Sequence, residues 1–190
     1  MRTPTISSAT FAAALALALG AAPAWARSPV TIEGAEHVRV AILDLLPDRE
    51  QPTTLFEAER IAEEAAARAT AWLRSEGYYD AEVTAQTGDN PVSARLAIAP
   101  GQRYRFNAPQ LSFDGDAPND PAHATMTQAL QAVREGAPAR AGDVLTAEAA
   151  ALAALQHAGY ADAALGERRV IVDHASLRVN TDFHFTADSL

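Results

Sequence analysis

The chain has no cysteine and no lysine among its 190 residues, and all 15 of its basic side chains are arginine. Without cysteine there is no disulfide and no thiolate metal site, even in an oxidising compartment. Five histidines, His37, His123, His157, His174 and His184, are spread so that no two stand four apart, which removes the usual pair of imidazole ligands on one helical face. Enzyme signatures are missing as well: there is no G-x-S-x-G elbow, P-loop, G-x-G-x-x-G or H-E-x-x-H. No catalytic residue, metal or cofactor is therefore expected. Asp173-His174 is a turn between two strands, because adjacent side chains rarely face each other. D-G-D-A-P-N-D, residues 114 to 120, has Pro118, Asn119 and Thr125 where a calcium loop needs an acidic or amide ligand, a glycine and a glutamate, so it reads as a loop.

Long apolar runs are also scarce. One of about ten residues, Phe11 to Gly20, follows the positive Arg2 and ends in Ala24-Trp25-Ala26, the small-x-small pattern of a signal peptidase site. It is shorter than the roughly 20 residues that a spanning helix needs. Residues 1–26 are expected to be a cleaved signal peptide and the remainder periplasmic. That remainder keeps 14 of the 15 arginines against 24 acidic residues, a balance that repels phosphate backbones and argues against nucleic acid as a partner. Trp72 becomes its one tryptophan, and on a helical stripe it reads as core. Arg168-Arg169 could attract an anion, or could simply lie on a solvated strand.

What is present is a repetition. L-R-S-E-G-Y-Y-D-A at residues 73 to 81 and L-Q-H-A-G-Y-A-D-A at residues 155 to 163 agree at five of nine positions, an offset of 82 residues. That spacing fits a duplicated small domain better than a solenoid repeat. If Gly77 and Gly159 are the left-handed residues just past a helix, Leu73 and Tyr78, and likewise Leu155 and Tyr160, fall at the two positions that touch across a Schellman cap. The repeated residues would then be structural.

Helical spacing precedes each cap. Thr54 and Glu57 form a capping box ahead of a stripe at Leu55, Ala58, Ala62, Ala65, Ala69, Trp72 and Leu73. In the second copy Thr146 is the expected N-cap, with Leu145, Ala149, Leu152 and Leu155 inward. A shorter helix precedes each: Glu36 to Leu46, with Val38, Ile42, Leu45 and Leu46 inward, and one opening with Asp120 as N-cap and Pro121 at N1, burying Met126, Leu130 and Val133. Period-two stretches follow each cap, Ala81 to Thr87 and Val92 to Ile98, then Leu165 to Val172 and Leu177 to Phe185. Pro29 to Gly34 and Tyr104 to Phe113 supply a first strand for each copy. The fold class is α+β: two tandem β-α-α-β-β units, 27–103 and 104–190, each a three-stranded mixed sheet with two helices on one face.

Tandem units of this order, an L-x-x-x-G-Y-x-D-A helix stop and P-G-Q-R-Y after the first unit (Pro100 to Tyr104) make the chain similar to the polypeptide-transport-associated (POTRA) domains of bacterial outer-membrane assembly factors, most of all those of TamA type. Gly142-Asp143-x-Leu145 and Val170 to Asp173 also match that family's habit. The resemblance implies a non-enzymatic protein-binding role in outer-membrane protein or autotransporter assembly. Partners would be client outer-membrane proteins or a TamB-like inner-membrane protein. Family members continue into a third such domain and a β-barrel. Neither is expected here, the barrel being supplied elsewhere or lost by truncation, with outer-membrane association if the chain belongs to a longer barrel protein. β-augmentation is the implied mechanism, an open strand edge accepting an extended segment. The accepting strand maps to Ala81 to Thr87, with Glu82, Val83, Thr84 and Ala85 as candidate contacts, and in the second unit to about Leu165 to Val172. A structural spacer in another envelope assembly, or a periplasmic enzyme, are the alternative readings.

Overall fold

The computed structural model describes residues 28–187, so the expected signal peptide lies outside the described residues. Among these, no helix is long and apolar enough to cross a membrane. The elements run β1 (Val30–Glu33), α1 (Arg39–Leu45), α2 (Leu55–Ser75), β2 (Glu82–Asp89) and β3 (Val92–Ala99), then β4 (Arg105–Phe106), β5 (Gln110–Asp114), α3 (Asp120–Ala129), α4 (Ala141–His157), β6 (Ala164–Leu165), β7 (Arg169–Asp173) and β8 (Arg178–Thr186). Each half is a β-α-α-β-β unit, as its hydrophobic periods predict. In the first, β3 is central, parallel to β1 and antiparallel to β2. In the second, β8 takes that place, parallel to β4 and β5 and antiparallel to β6 and β7.

Period-two patterning fixes which face of each sheet meets the helices. Ala94, Leu96 and Ile98 of β3 are buried with Val30 and Ile32 in the first core, and Val179, Phe183 and Phe185 of β8 anchor the second. Two strands are more broken than their patterns suggest. The stretch from Tyr104 to Phe113 divides into β4 and β5, and the one from Leu165 to Val172 into β6 and β7. The β7–β8 turn is held by Asp173, whose carboxylate accepts from the Ala175 and Ser176 amides and the Ser176 hydroxyl.

Helix starts depart from the sequence reading in instructive ways. Thr54 caps α2 by accepting from the Glu57 amide, but Glu57 returns its carboxylate to the amide of Thr53 rather than Thr54. Its stripe includes Ile61, fully in the core, while Leu55 in the first turn is exposed and Trp72 half-buried. Helix α1 starts at Arg39, three residues late, and leaves Leu45 exposed while burying Val38, Ile42 and Leu46. Asn119, not Asp120, caps α3 by accepting from the Ala122 amide, which moves Pro121 to the second helical position. Met126 is buried as expected, with Leu130 and Val133 in a 3-10 turn (Leu130–Val133).

The largest correction is α4. It begins at Ala141, so Gly142, Asp143 and Leu145 lie within it and Thr146 is interior, its hydroxyl donating back to the Gly142 carbonyl. The added turn, Ala141 to Leu145, holds the weak helix formers Gly142, Asp143 and Val144, so propensity does not carry it. Val144 extends the buried stripe of Ala147, Ala151 and Leu155, and Asp143 stands in the first turn, where the helix dipole favours an acid. The buried face is consequently Val144, Ala147, Glu148, Ala151 and Leu155, with Leu152 half-buried and Leu145 and Ala149 outside.

Both caps have the expected geometry. Gly77 and Gly159 adopt φ of 93° and 105°. The Tyr78 amide donates to the Leu73 carbonyl at 2.8 Å and the Gly77 amide to the Arg74 carbonyl at 3.1 Å; Tyr160 to Leu155 and Gly159 to Gln156 repeat the pair at 3.3 and 3.2 Å. Each leucine and tyrosine lie in their unit's core cluster. Each tyrosine also reaches the start of its unit's first helix, Tyr78 against the His37 ring and Tyr160 by accepting from the Asn119 amide.

Candidate functional site

Each sheet has two edges, β1 and β2 in the first unit, and β4–β5 and β6–β7 in the second; the antiparallel ones, β2 and β7, follow the helix stops. β2 and β7 each pair on one side only, with β3 and β8, and among the described residues no strand covers the other side. Their backbone N–H and C=O groups on that side are available to an added strand. On β2, Glu82 and Thr84 are exposed, whereas Val83 and Ala85 pack against the first core beneath α2. The buried alanines of α2, Ala58, Ala62, Ala65 and Ala69, let the helix lie close along β2.

The second unit differs. Between α4 and β7 there is an apolar cleft of about 240 Å³. Its helical wall is Ala141, Val144 and Leu145, and its strand wall is Arg168 and Val170, above Phe106 and Val179. Leu145, Val170 and Ile171 are 54%, 42% and 45% exposed, more than large aliphatic side chains usually tolerate beside a core. Arg168 is held at the mouth by Glu148, whose carboxylate is buried and accepts from the guanidinium. Arg169, next along, is exposed.

An eighth side chain completes the cleft from outside the unit. Tyr79 of the first unit reaches over and lines it. It is carried there by the joint between the units, which the sequence reading did not anticipate. The Tyr104 amide donates to the Gly77 carbonyl at 2.8 Å, and Arg103 donates to the Glu76 carbonyl and carboxylate at 2.7 and 2.6 Å. Arg140 reaches the same carboxylate at 3.2 Å, and the Arg103 guanidinium lies over the Tyr78 ring. Tyr104 is wholly buried, with Tyr79 edge-on to its ring at 5.2 Å.

Asp80 is the polar centre of this joint. One of its carboxylate oxygens accepts from the Tyr104 hydroxyl at 2.6 Å and the other from His174 Nδ1 at 2.7 Å, so Nδ1 carries a proton. Those hydrogen bonds, Tyr104's first, hold the Asp80 carboxyl below the usual carboxylate range. Burial, reinforced by Asp80, pushes the Tyr104 hydroxyl up to about 12. The turn residue His174 thus ties the β7–β8 hairpin to the first unit. The sequence signal was the second half of the repeat, Tyr79-Asp80 against Ala161-Asp162, together with P-G-Q-R-Y.

Among the described residues no three histidine, aspartate or glutamate side chains converge as a metal site would require. The arrangement offers backbone pairing, apolar contact and one exposed cation at β7. That is the chemistry of peptide recognition.

No family profile and no curated protein matches the chain. Solved structures similar to it include POTRA domains 1–2 of the periplasmic domain of Omp85 from Anabaena, at 12% identity and a TM-score of 0.49 over 85% of this chain and 92% of that one. POTRA domains 3–5 of BamA from Haemophilus influenzae are 18% identical with a TM-score of 0.46, over 84% of this chain, which spans 65% of theirs. CdiB from Escherichia coli is 11% identical with a TM-score of 0.39, over 95% of this chain, which spans 29% of CdiB.

Proposed function

We propose that the chain is a periplasmic protein-binding module of outer-membrane protein assembly or translocation, TamA-like in its resemblance, whose second unit takes an extended segment of a client or of an inner-membrane partner along β7. The observation that carries this reading is the coincidence of an open edge with an apolar cleft beside it. Backbone bonds to β7 supply affinity without regard to sequence, and the cleft selects alternate side chains of the added strand. A segment with apolar residues at every second position and an acid opposite Arg169 fits both. The β2 edge at Glu82 to Ala85 is a second acceptor on the same principle; the hollow that Glu82 and Thr84 line is open and shared with Glu33, Ala97 and Ala99 rather than with a helix. The role in the cell envelope is supported by the export signal and by the POTRA-like motifs.

A spacer role is the second reading, favoured by the joint, which fixes one unit on the other through Glu76 with Arg140, Gly77 with Tyr104, and Asp80 with Tyr104 and His174. The two readings separate in amide hydrogen exchange. With a synthetic peptide of alternating valine and threonine and one aspartate towards its C-terminus, the outward-facing amides among Val170 to Asp173, every second one, become protected. A spacer shows no added protection on either edge.

A further inference from the structure

Resting on that reading, we infer that the cleft is a composite site: the first unit's Tyr79 forms its end wall, so that capture of a strand at β7 and the angle between the two units are coupled. The ring has two neighbours that define its position. It packs against the second core and stands edge-on to Tyr104, itself wholly buried, while its other side lines the cleft with Phe106 and Val144. Tyr79 is thus carried by the first unit and held against the second by the joint.

The strand wall of the cleft is tied to the same joint. β7 ends at Asp173, and the next residue, His174, donates to Asp80 of the first unit. A rotation of one unit on the other therefore moves both the end wall, through Tyr79, and the hairpin bearing Val170, through His174. An added strand that fills the cleft contacts surfaces of both units and favours the single angle at which they meet. By linkage, whatever fixes the angle must raise affinity by the same factor. Asp80 is a positioning residue in this scheme, and Tyr79 is a contact.

The absence of cysteine makes the test direct, since Glu63→Cys on α2 and Ala153→Cys on α4 give two exposed positions for spin labels. In the full chain carrying both labels, the distance distribution is narrow, and Asp80→Ala broadens it. The alternating valine-threonine peptide with one aspartate narrows it again. Tyr79→Ala weakens binding of that peptide about tenfold, as loss of an aromatic anchor does, and Tyr79→Phe restores it. Asp80→Ala weakens it by the factor read from the change in distribution. If Tyr79→Ala binds as well as the parent while a proline in β7 abolishes binding, the cleft belongs to the second unit alone and the composite site is refuted. If peptide binding leaves the Asp80→Ala distribution broad, the coupling is refuted. A parent chain that does not take the peptide at all refutes the docking reading and this inference with it.

Discussion

Two copies of one unit end their long helices with the same bonds and yet use the ends differently. Gly77 is packed so tightly against the second unit that a Cβ there would stand 2.9 Å from the Ala139 carbonyl oxygen; a Cβ on Gly159 would meet nothing within 4 Å. The residues that agree between the copies, leucine, glycine, tyrosine and aspartate, are those a Schellman cap and its corner need. Of the four positions that differ, Tyr79 against Ala161 is the one that lines the cleft, and Glu76 against Ala158 is the one that accepts from Arg103 and Arg140. Repetition in this chain marks what the fold requires, and departure from it marks what one unit does for the other. The long helices divide in the same way, α2 lying close along its strand and α4 standing away from β7.

The glycines sharpen this contrast most. Gly159→Ala places a side chain at a left-handed dihedral and is expected to cost about 1 kcal/mol. Gly77→Ala adds a clash with backbone, which brings the total to about 2–4 kcal/mol. Urea unfolding of the two variants separates them, and equal losses would break the claim that the first cap is part of the joint.

A smaller asymmetry lies at the helix starts. Thr54→Ala removes a cap and is expected to cost about 1 kcal/mol. Thr146→Ala changes an exposed interior position of α4 to a better helix former, so it should be neutral or stabilise by a few tenths of a kcal/mol. Thermal unfolding in which both threonines cost the same would restore Thr146 as a cap.

The joint should also show in pH. The Asp80 carboxyl is depressed by its bonds to Tyr104 and His174, so its contribution is complete above the ordinary aspartate value near 4 and is lost as pH falls through the lower folded value. Tyr104 is raised, so its contribution is complete below about 10 and is lost as pH rises towards about 12. The stability difference between the parent and Asp80→Asn, followed by denaturant titration, is expected to shrink below about pH 4. A difference that persists unchanged there would remove Asp80's charge from the account. Burial raises Tyr79 as well, but tyrosine absorbance should show its last ionisation near pH 12, missing in Tyr104→Phe.

Local signals made the elements legible. Period-two and helical stripes gave both sheets and four helices, because each unit buries one face only, and the glycine caps gave the corners. Capping was read less well where several residues could serve: Asn119 and Asp120 are both good caps, and the first turn of α4, with Gly142 and Asp143, forms through the burial of Val144 rather than through local propensity. The open edges were legible as a family expectation at Glu82 to Ala85 and Leu165 to Val172. The cleft was not, since it depends on how far α4 stands from β7 and on Tyr79, which arrives from the other unit. Asp80 and His174 are 94 residues apart, and no local pattern links them.

The central claim is that the second unit's edge, with its cleft, is the docking site, and that the first unit's edge contributes little. Proline at Val170 or Ile171, whichever amide faces outward, is compared with proline at Thr84 or Ala85 in the same way. Capture of the alternating valine-threonine peptide is measured for each at unchanged thermal stability. The β7 variant is expected to lose capture and the β2 variant to keep it; loss confined to the β2 variant would contradict the account.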